Sequence, residues 1–206
     1  MFSAMDADDI LNDLPDQLLQ ALFDAVEAAA LDWRQHTAEH PDWTAPMYER
    51  DTAGWIHARL RSHLSQRLDG LGGVSIVDRE PNYVITALGA DGRMYQCRVK
   101  RHNENDLISS YPTVSDRQFW GDEPSEFDEL DVIRLALGYR WDRDARSVGV
   151  SVVSYRRGKN NPIWAVEIQR SAVRGSVLTF TPISPTLPAV DLLDAQRAVQ
   201  PASGEE

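Results

Sequence analysis

Apolar positions divide this chain into a first third of helical period and a longer remainder of period two. Leu18, Leu22, Val26, Ala30 and Trp33 recur at helical spacing, with Leu19 and Phe23 widening the stripe. This predicts a helix over 15–36. Pro15 suits a first helical turn, and the Asp16 carboxylate is favoured there by the positive end of the helix dipole. Pro41 and Pro46 bracket a loop. Ile56, Leu60, Leu64 and Leu68 then step by four, which predicts a second helix over 49–69. Asp51 or Thr52 can cap its start, and Gly70, Gly72 and Gly73 end it. The polar side of the first helix is acidic (Asp16, Asp24, Glu27, Asp32). That of the second is basic (Arg50, His57, Arg59, Arg61, His63, Arg67). The simplest reading is two helices packed together with complementary rims.

Beyond Gly73 the alternation predicts strands at 74–78 and 83–88, a turn at Gly89-Ala90-Asp91-Gly92, and a return strand over 93–101. Residues 102–127 are polar, carry Pro112, Pro124 and the pair Phe119-Trp120, and form a long connection with room for a short helix. Ile133, Leu135, Leu137, Tyr139 and Trp141 alternate with smaller or basic residues. With Gly138 this favours a strand over 132–141 rather than a helix. Further strands are expected around Val148–Val153, at Ile163–Ile168 and, at an edge, over 176–181. Tyr155–Asn161 reads as a basic hairpin tip. Pro182, Pro185 and Pro188 read as a linker, Val190–Val199 as a weak amphipathic helix, and Pro201–Glu206 as a disordered tail. The expected fold class is α+β, with two N-terminal helices packed on a mainly antiparallel sheet and a Pro-linked C-terminal tail. The expected organisation is a frayed acidic leader over 1–12, one domain over 13–181, and the tail over 182–206.

Charge narrows the function classes. The 206 residues carry a net charge of −11. The acid is concentrated at Asp6, Asp8, Asp9, Asp13 and Asp16, and again at Asp122, Glu123, Glu126, Asp128, Glu129 and Asp131. Such a chain is repelled by nucleic acid at long range, so general DNA coating is disfavoured while a local basic patch stays open. The second acidic run lacks the ligand spacing of an EF-hand, so solvated acid is the safer reading. A single cysteine, Cys97, permits no internal disulfide and fits a reducing compartment. The N-terminus lacks the apolar region of a signal peptide, and no stretch approaches the roughly 20 apolar residues of a membrane span. The expected setting is the cytoplasm, without a membrane.

No diagnostic catalytic signature stands out. His36-Thr37-Ala38-Glu39-His40 has the spacing of inverted zinc peptidases, in which two histidines hold zinc and the glutamate activates water. Pro41 pushes His40 out of helical geometry, however, so a polar helix end is the expected role. His57 and His63 are six apart and do not share a helix face. A metal-dependent nuclease would need a carboxylate near Asp78 or Glu80 and an acidic-x-Lys triplet on the return strand. Here the triplet is Arg98-Val99-Lys100, and an arginine repels Mg²⁺. There is no Gly-x-Ser-x-Gly elbow and no phosphate loop. Cys97 within an alternating strand reads as a small buried hydrophobe. No metal and no cofactor is expected.

Two basic clusters remain: Arg98, Lys100 and Arg101 at one hairpin end, and Arg156, Arg157 and Lys159 at another tip flanked by Tyr155 and Trp164. They suit single-stranded nucleic acid, an acidic protein surface, or plain protection of a sheet edge. The helix Arg50–Leu68, the hairpin Tyr83–Lys100 and the segment Leu107-Ile108-Ser109-Ser110-Tyr111-Pro112-Thr113 also form a pattern with two later pieces, Leu137-Gly138-Tyr139-Arg140-Trp141 and Ile163-Trp164-Ala165-Val166. Over residues 48–168 this pattern resembles a group of small bacterial and phage-borne proteins. Their genes lie beside zinc-peptidase regulators in toxin–antitoxin or mobile-element loci. The resemblance implies a component of a two-gene system acting through a protein partner; it does not imply an enzymatic mechanism. Missing catalytic sets, charge-segregated surfaces and a Pro-linked C-terminal segment able to dock as a short amphipathic helix make the expected function non-enzymatic partner binding in a toxin–antitoxin or defence locus. The alternative is a nucleic-acid-binding or nuclease-like toxin acting through the basic hairpins.

Overall fold

The computed structural model describes residues 6–79, 82–108, 113–120, 132–158, 160–170 and 178–183. Helices α1 (Ala7–Asp13), α2 (Asp16–Glu39), α3 (Pro41–Thr44) and α4 (Glu49–Leu68) come first. Strands β1 (Val74–Arg79), β2 (Asn82–Leu88) and β3 (Met94–His102) follow, then helix α5 (Val114–Phe119). Strands β4 (Val132–Asp142), β5 (Ser147–Arg156), β6 (Pro162–Arg170) and β7 (Leu178–Ile183) complete the described chain. The strands lie in sequence order across one sheet. Every pairing is antiparallel except β3 with β4, which is parallel. The class is α+β, as the periodicity predicts. Among the described residues no helix is long and apolar enough to cross a membrane.

Alternation gives the sheet two unlike faces. Tyr95, Cys97 and Val99 of β3 point with Leu135, Leu137 and Tyr139 of β4 into the main core. Leu18, Leu22, Val26 and Trp33 of α2 and Ile56, Leu60 and Leu64 of α4 belong to that same core. The stripe stepping by four on α4 is fully buried. The expected complementary rims meet at Asp32, which accepts from Arg59 Nε and from His63 Nε2, both at 2.7 Å. The opposite face carries a smaller core of Ile108, Phe119, Trp120 and Ala136. Cys97 is buried in the main core, and burial pushes its thiol up to about 12, so it stays an inert thiol.

From Ala7 onward the expected frayed leader is instead helix α1, and it is anchored, while residues 1–5 lie outside the described residues. Ile10 and Leu11 are buried in the main core. Asp13 reaches the β2–β3 turn, where its carboxylate accepts from the Asp91 amide at 2.6 Å and from the Tyr95 hydroxyl at 2.5 Å. Its carbonyl accepts from the Ala90 amide at 2.9 Å. An acidic run thus hides a buried amphipathic turn, whose apolar positions are only Ala7, Ile10 and Leu11. Burial pushes the Asp13 carboxyl up, but the Tyr95 hydroxyl, the Asp91 amide, Arg93 and the Ala90 amide together hold it below the ordinary value.

Two further expectations change. The loop bracketed by Pro41 and Pro46 contains the single helical turn α3, with Pro41 at its first position. Pro182 is not in a linker but within β7, opposite Val166. An edge strand tolerates the missing amide. Pro185, Pro188, the helix expected at Val190–Val199 and the tail at Pro201–Glu206 lie outside the described residues.

Gly138 marks a close approach of β4 to the backbone of β3. A Cβ there would land on the Lys100 carbonyl. Gly138→Ala is expected to destabilise the fold by about 3 kcal/mol, because β3 and β4 must separate to admit it. Asp13→Ala is expected to cost about 2–3 kcal/mol by orphaning the buried Tyr95 hydroxyl. Urea unfolding of both variants checks this. The Asp13 contribution is full above the ordinary carboxylate pKa and is lost as pH falls through its lower folded value.

Candidate functional site

Strand alternation splits the first basic cluster. Arg98 and Lys100 lie on the face opposite the main core, under α5. Thr113 caps α5 by accepting from the Asp116 amide at 3.2 Å, which sets Asp116 over the strand. Asp116 Oδ1 then collects Lys100 Nζ at 3.1 Å, Trp120 Nε1 at 3.2 Å and Arg98 Nη1 at 3.4 Å. Arg98 also donates to Ser115 Oγ at 3.0 Å, and its guanidinium sits 4.1 Å above the Phe119 ring. Their side chains are only 12% and 16% exposed. Burial pulls both cations below their ordinary pKa, and Asp116 opposes that. Arg101 points the other way, to Glu49 Oε2 at 3.5 Å and over the Trp141 ring.

The second cluster is not a basic tip either. Arg156 belongs to β5 and is 4% exposed. It donates to the Asp106 carbonyl at 2.6 Å and to Ser154 Oγ at 3.0 Å. Burial pulls its pKa down to about 10. Ser154 Oγ also bonds His102 Nε2 at 2.9 Å. Arg140 joins through Asp106 Oδ1 at 2.9 Å and through Glu167. Arg157 is exposed in the turn, and Lys159 lies outside the described residues. Tyr155 and Trp164 pack against the main core rather than framing that turn. The register Arg98–Ala136–Ser154 thus brings members of both clusters onto one sheet face, but as an internal network.

This arrangement has little room for nuclease chemistry. Arg98 occupies the position where a second metal-binding carboxylate would stand. The carboxylate that does reach Lys100, Asp116, has one oxygen taken by three donors. Asp78 of β1 pairs with Arg61, and Glu80 lies outside the described residues. Among the described residues no group of three or more His, Cys, Asp or Glu is placed to hold a metal ion.

The histidines of the His-x-x-Glu-His motif serve a different structure. α2 ends at His40, whose backbone leaves the helical region ahead of Pro41. The rings of His36 and His40 meet edge-on at 5.4 Å, and among the described residues they belong to no group of three or more His, Cys, Asp or Glu that could hold a metal ion. Instead they join an aromatic ladder. Trp33 lies 5.5 Å from Trp55, His36 stacks on Trp55 at 4.8 Å, and His40 stacks on Trp43 at 4.5 Å with 11° between planes. The inner end is fixed, since buried Trp33 donates to the Arg146 carbonyl at 2.8 Å. Arg146, in the β4–β5 turn, donates in its turn to the carbonyls of Thr44, Ala45 and Met47 at 3.2–3.3 Å. The segment carrying Trp43 and Tyr48 is therefore held against the turn below it. The outer end is open: Trp43 is 66% and Tyr48 80% exposed. Sequence reasoning missed this ladder. Its trace was the placement of Trp33, His36 and His40 at i, i+3 and i+7, followed by a tryptophan just past the proline.

Comparison with protein-family models, with curated proteins and with solved structures finds no match for this chain.

His102 offers a test of the buried network. Burial, with Arg156 and Arg140 nearby, pulls its pKa down to about 3, and burial with Arg61 and Lys100 pulls His57 down to about 4. Between these values and 6.5 the unfolded chain holds protons that the native state refuses. Stability is therefore full above pH 6.5 and falls as pH drops toward 4, by up to about 1.4 kcal/mol per pH unit for each histidine. His102→Gln is expected to flatten that slope in thermal melts at a series of pH values. An unchanged slope would remove His102 from the account.

Proposed function

We propose that this protein is a non-enzymatic, protein-binding component, and that it engages its partner through the exposed end of the aromatic ladder. The observation that carries this reading is Trp43, two-thirds exposed while stacked on His40. Tryptophan and tyrosine dominate the energetic centres of interfaces, because they bury much area at little conformational cost. The resemblance adds a context, a two-gene toxin–antitoxin or defence-type locus, in which the partner is a protein.

The nucleic-acid reading has less support. Of the proposed cations that are described, Arg98, Lys100 and Arg156 serve the buried network, Arg101 pairs with Glu49, and only Arg157 is exposed. Phosphate contact needs several accessible cations acting together.

A photo-crosslinking residue at position 48, introduced in the native host, tests the reading. One protein is expected to crosslink to the otherwise wild-type chain. Trp43→Ala should abolish that adduct, with binding weakened by about 2 kcal/mol and an unchanged melting temperature. Equal crosslinking by the variant, or nucleic acid as the captured species, would overturn it.

A further inference from the structure

Resting on that reading, we propose that the Trp43 platform receives a cationic segment of the protein partner, with a lysine or arginine head seated on the free face of the indole. One face of Trp43 is covered by His40, stacked nearly parallel at 4.5 Å. With 66% of the residue exposed, the other face is left to solvent. The π face of an indole carries the negative end of the ring quadrupole and attracts ammonium and guanidinium groups. The aliphatic stem of either side chain packs along the ring while the head stays at its rim. The chain itself uses this contact elsewhere: Arg61 lies over Tyr83, Arg98 over Phe119 and Arg170 over Phe23.

Charge selects the occupant. Along the chain, residues 39–51 carry the carboxylates Glu39, Asp42, Glu49 and Asp51 against one cation, Arg50, and the Arg146 guanidinium that docks on this segment is taken up by the carbonyls of Thr44, Ala45 and Met47. Glu49 is already engaged by Arg101 and Arg143. Glu39 accepts from the neutral amide of Gln35, a contact that leaves its charge uncompensated. Glu39, Asp42 and Asp51 are all exposed, on the last turn of α2, on α3 beside Trp43, and on the first turn of α4. A phosphate-bearing ligand approaching Trp43 would meet the exposed Asp42 carboxylate on the same helical turn, which disfavours it. A basic segment gains both the ring contact and the acidic flank, and the flank also steers its approach.

The test uses the full-length protein and a (Lys-Gly)5 peptide, with (Glu-Gly)5 and a ten-nucleotide thymidine oligonucleotide as comparators. The Trp43 indole N–H resonance, assigned by its loss in Trp43→Phe, reports contact. We expect it to move with (Lys-Gly)5 alone. Affinity should fall about three-fold in Trp43→Ala and by a similar factor in the double variant Glu39→Gln/Asp42→Asn. Neutralising the exposed acids of α1, with Asp8→Asn/Asp9→Asn, controls for the overall negative charge and should leave affinity unchanged. Binding insensitive to Trp43→Ala, an equal loss in the α1 variant, or a resonance moved by the oligonucleotide would overturn the inference. If Trp43→Ala loses the crosslinked native partner while the basic peptide never reaches the indole, the interface stands and only its cationic occupant falls.

Discussion

Gly138 lies so close to β3 that any side chain in its place would collide with the Lys100 carbonyl. That approach belongs to the one parallel pairing in the described sheet, β3 with β4. Parallel neighbours cannot be joined by a tight turn, so the chain must cross over between them. The crossover carries α5 to the face of the sheet away from α2 and α4. A second core of Ile108, Phe119, Trp120 and Ala136 then becomes possible. The Lys100 and Arg98 side chains, projecting from β3 on that face, are roofed by Asp116.

The consequence for function is an inversion of apparent and real surface. Arg98, Lys100 and Arg156, which look exposed in a linear reading, are largely internal, while the large aromatics Trp43 and Tyr48 are external. Burying Arg156 costs desolvation, visible in its lowered pKa, and is offset by the Asp106 carbonyl and Ser154. At the other end of the molecule, Arg146 ties the β4–β5 turn to the carbonyls that follow α3. Trp43 stands on that support. A preorganised aromatic surface loses less entropy when it binds than a mobile one.

Much of the fold was legible. The α2 and α4 stripes, the Asp-Gly turn, the alternation of Ile133 to Trp141 and the edge strand near 178 all follow from local period and turn chemistry. α1 was not, because seven residues with three apolar positions carry too little periodicity to stand out from an acidic run. Its stability comes from Asp13 gripping the β2–β3 turn some 80 positions away in sequence, a bond between Asp13 and Tyr95 that no local pattern encodes. Pro182 misled in the opposite direction, because a proline is compatible with an edge strand and the sequence does not say which strand is the edge.

By itself the sequence determined the helices, most strands, their facing and the absence of a standard catalytic motif, since period, capping and ligand spacing are local properties. It also determined that Arg98 and Lys100 share a face and that Arg101 does not, because alternation is intrinsic to a strand. Only the tertiary structure decided what covers each face. Whether a cation meets solvent or Asp116, and whether Trp43 is core or platform, depends on which distant element arrives above it. That is a matter of long-range packing and desolvation, set by the parallel crossover and the Arg146 clamp rather than by neighbouring residues.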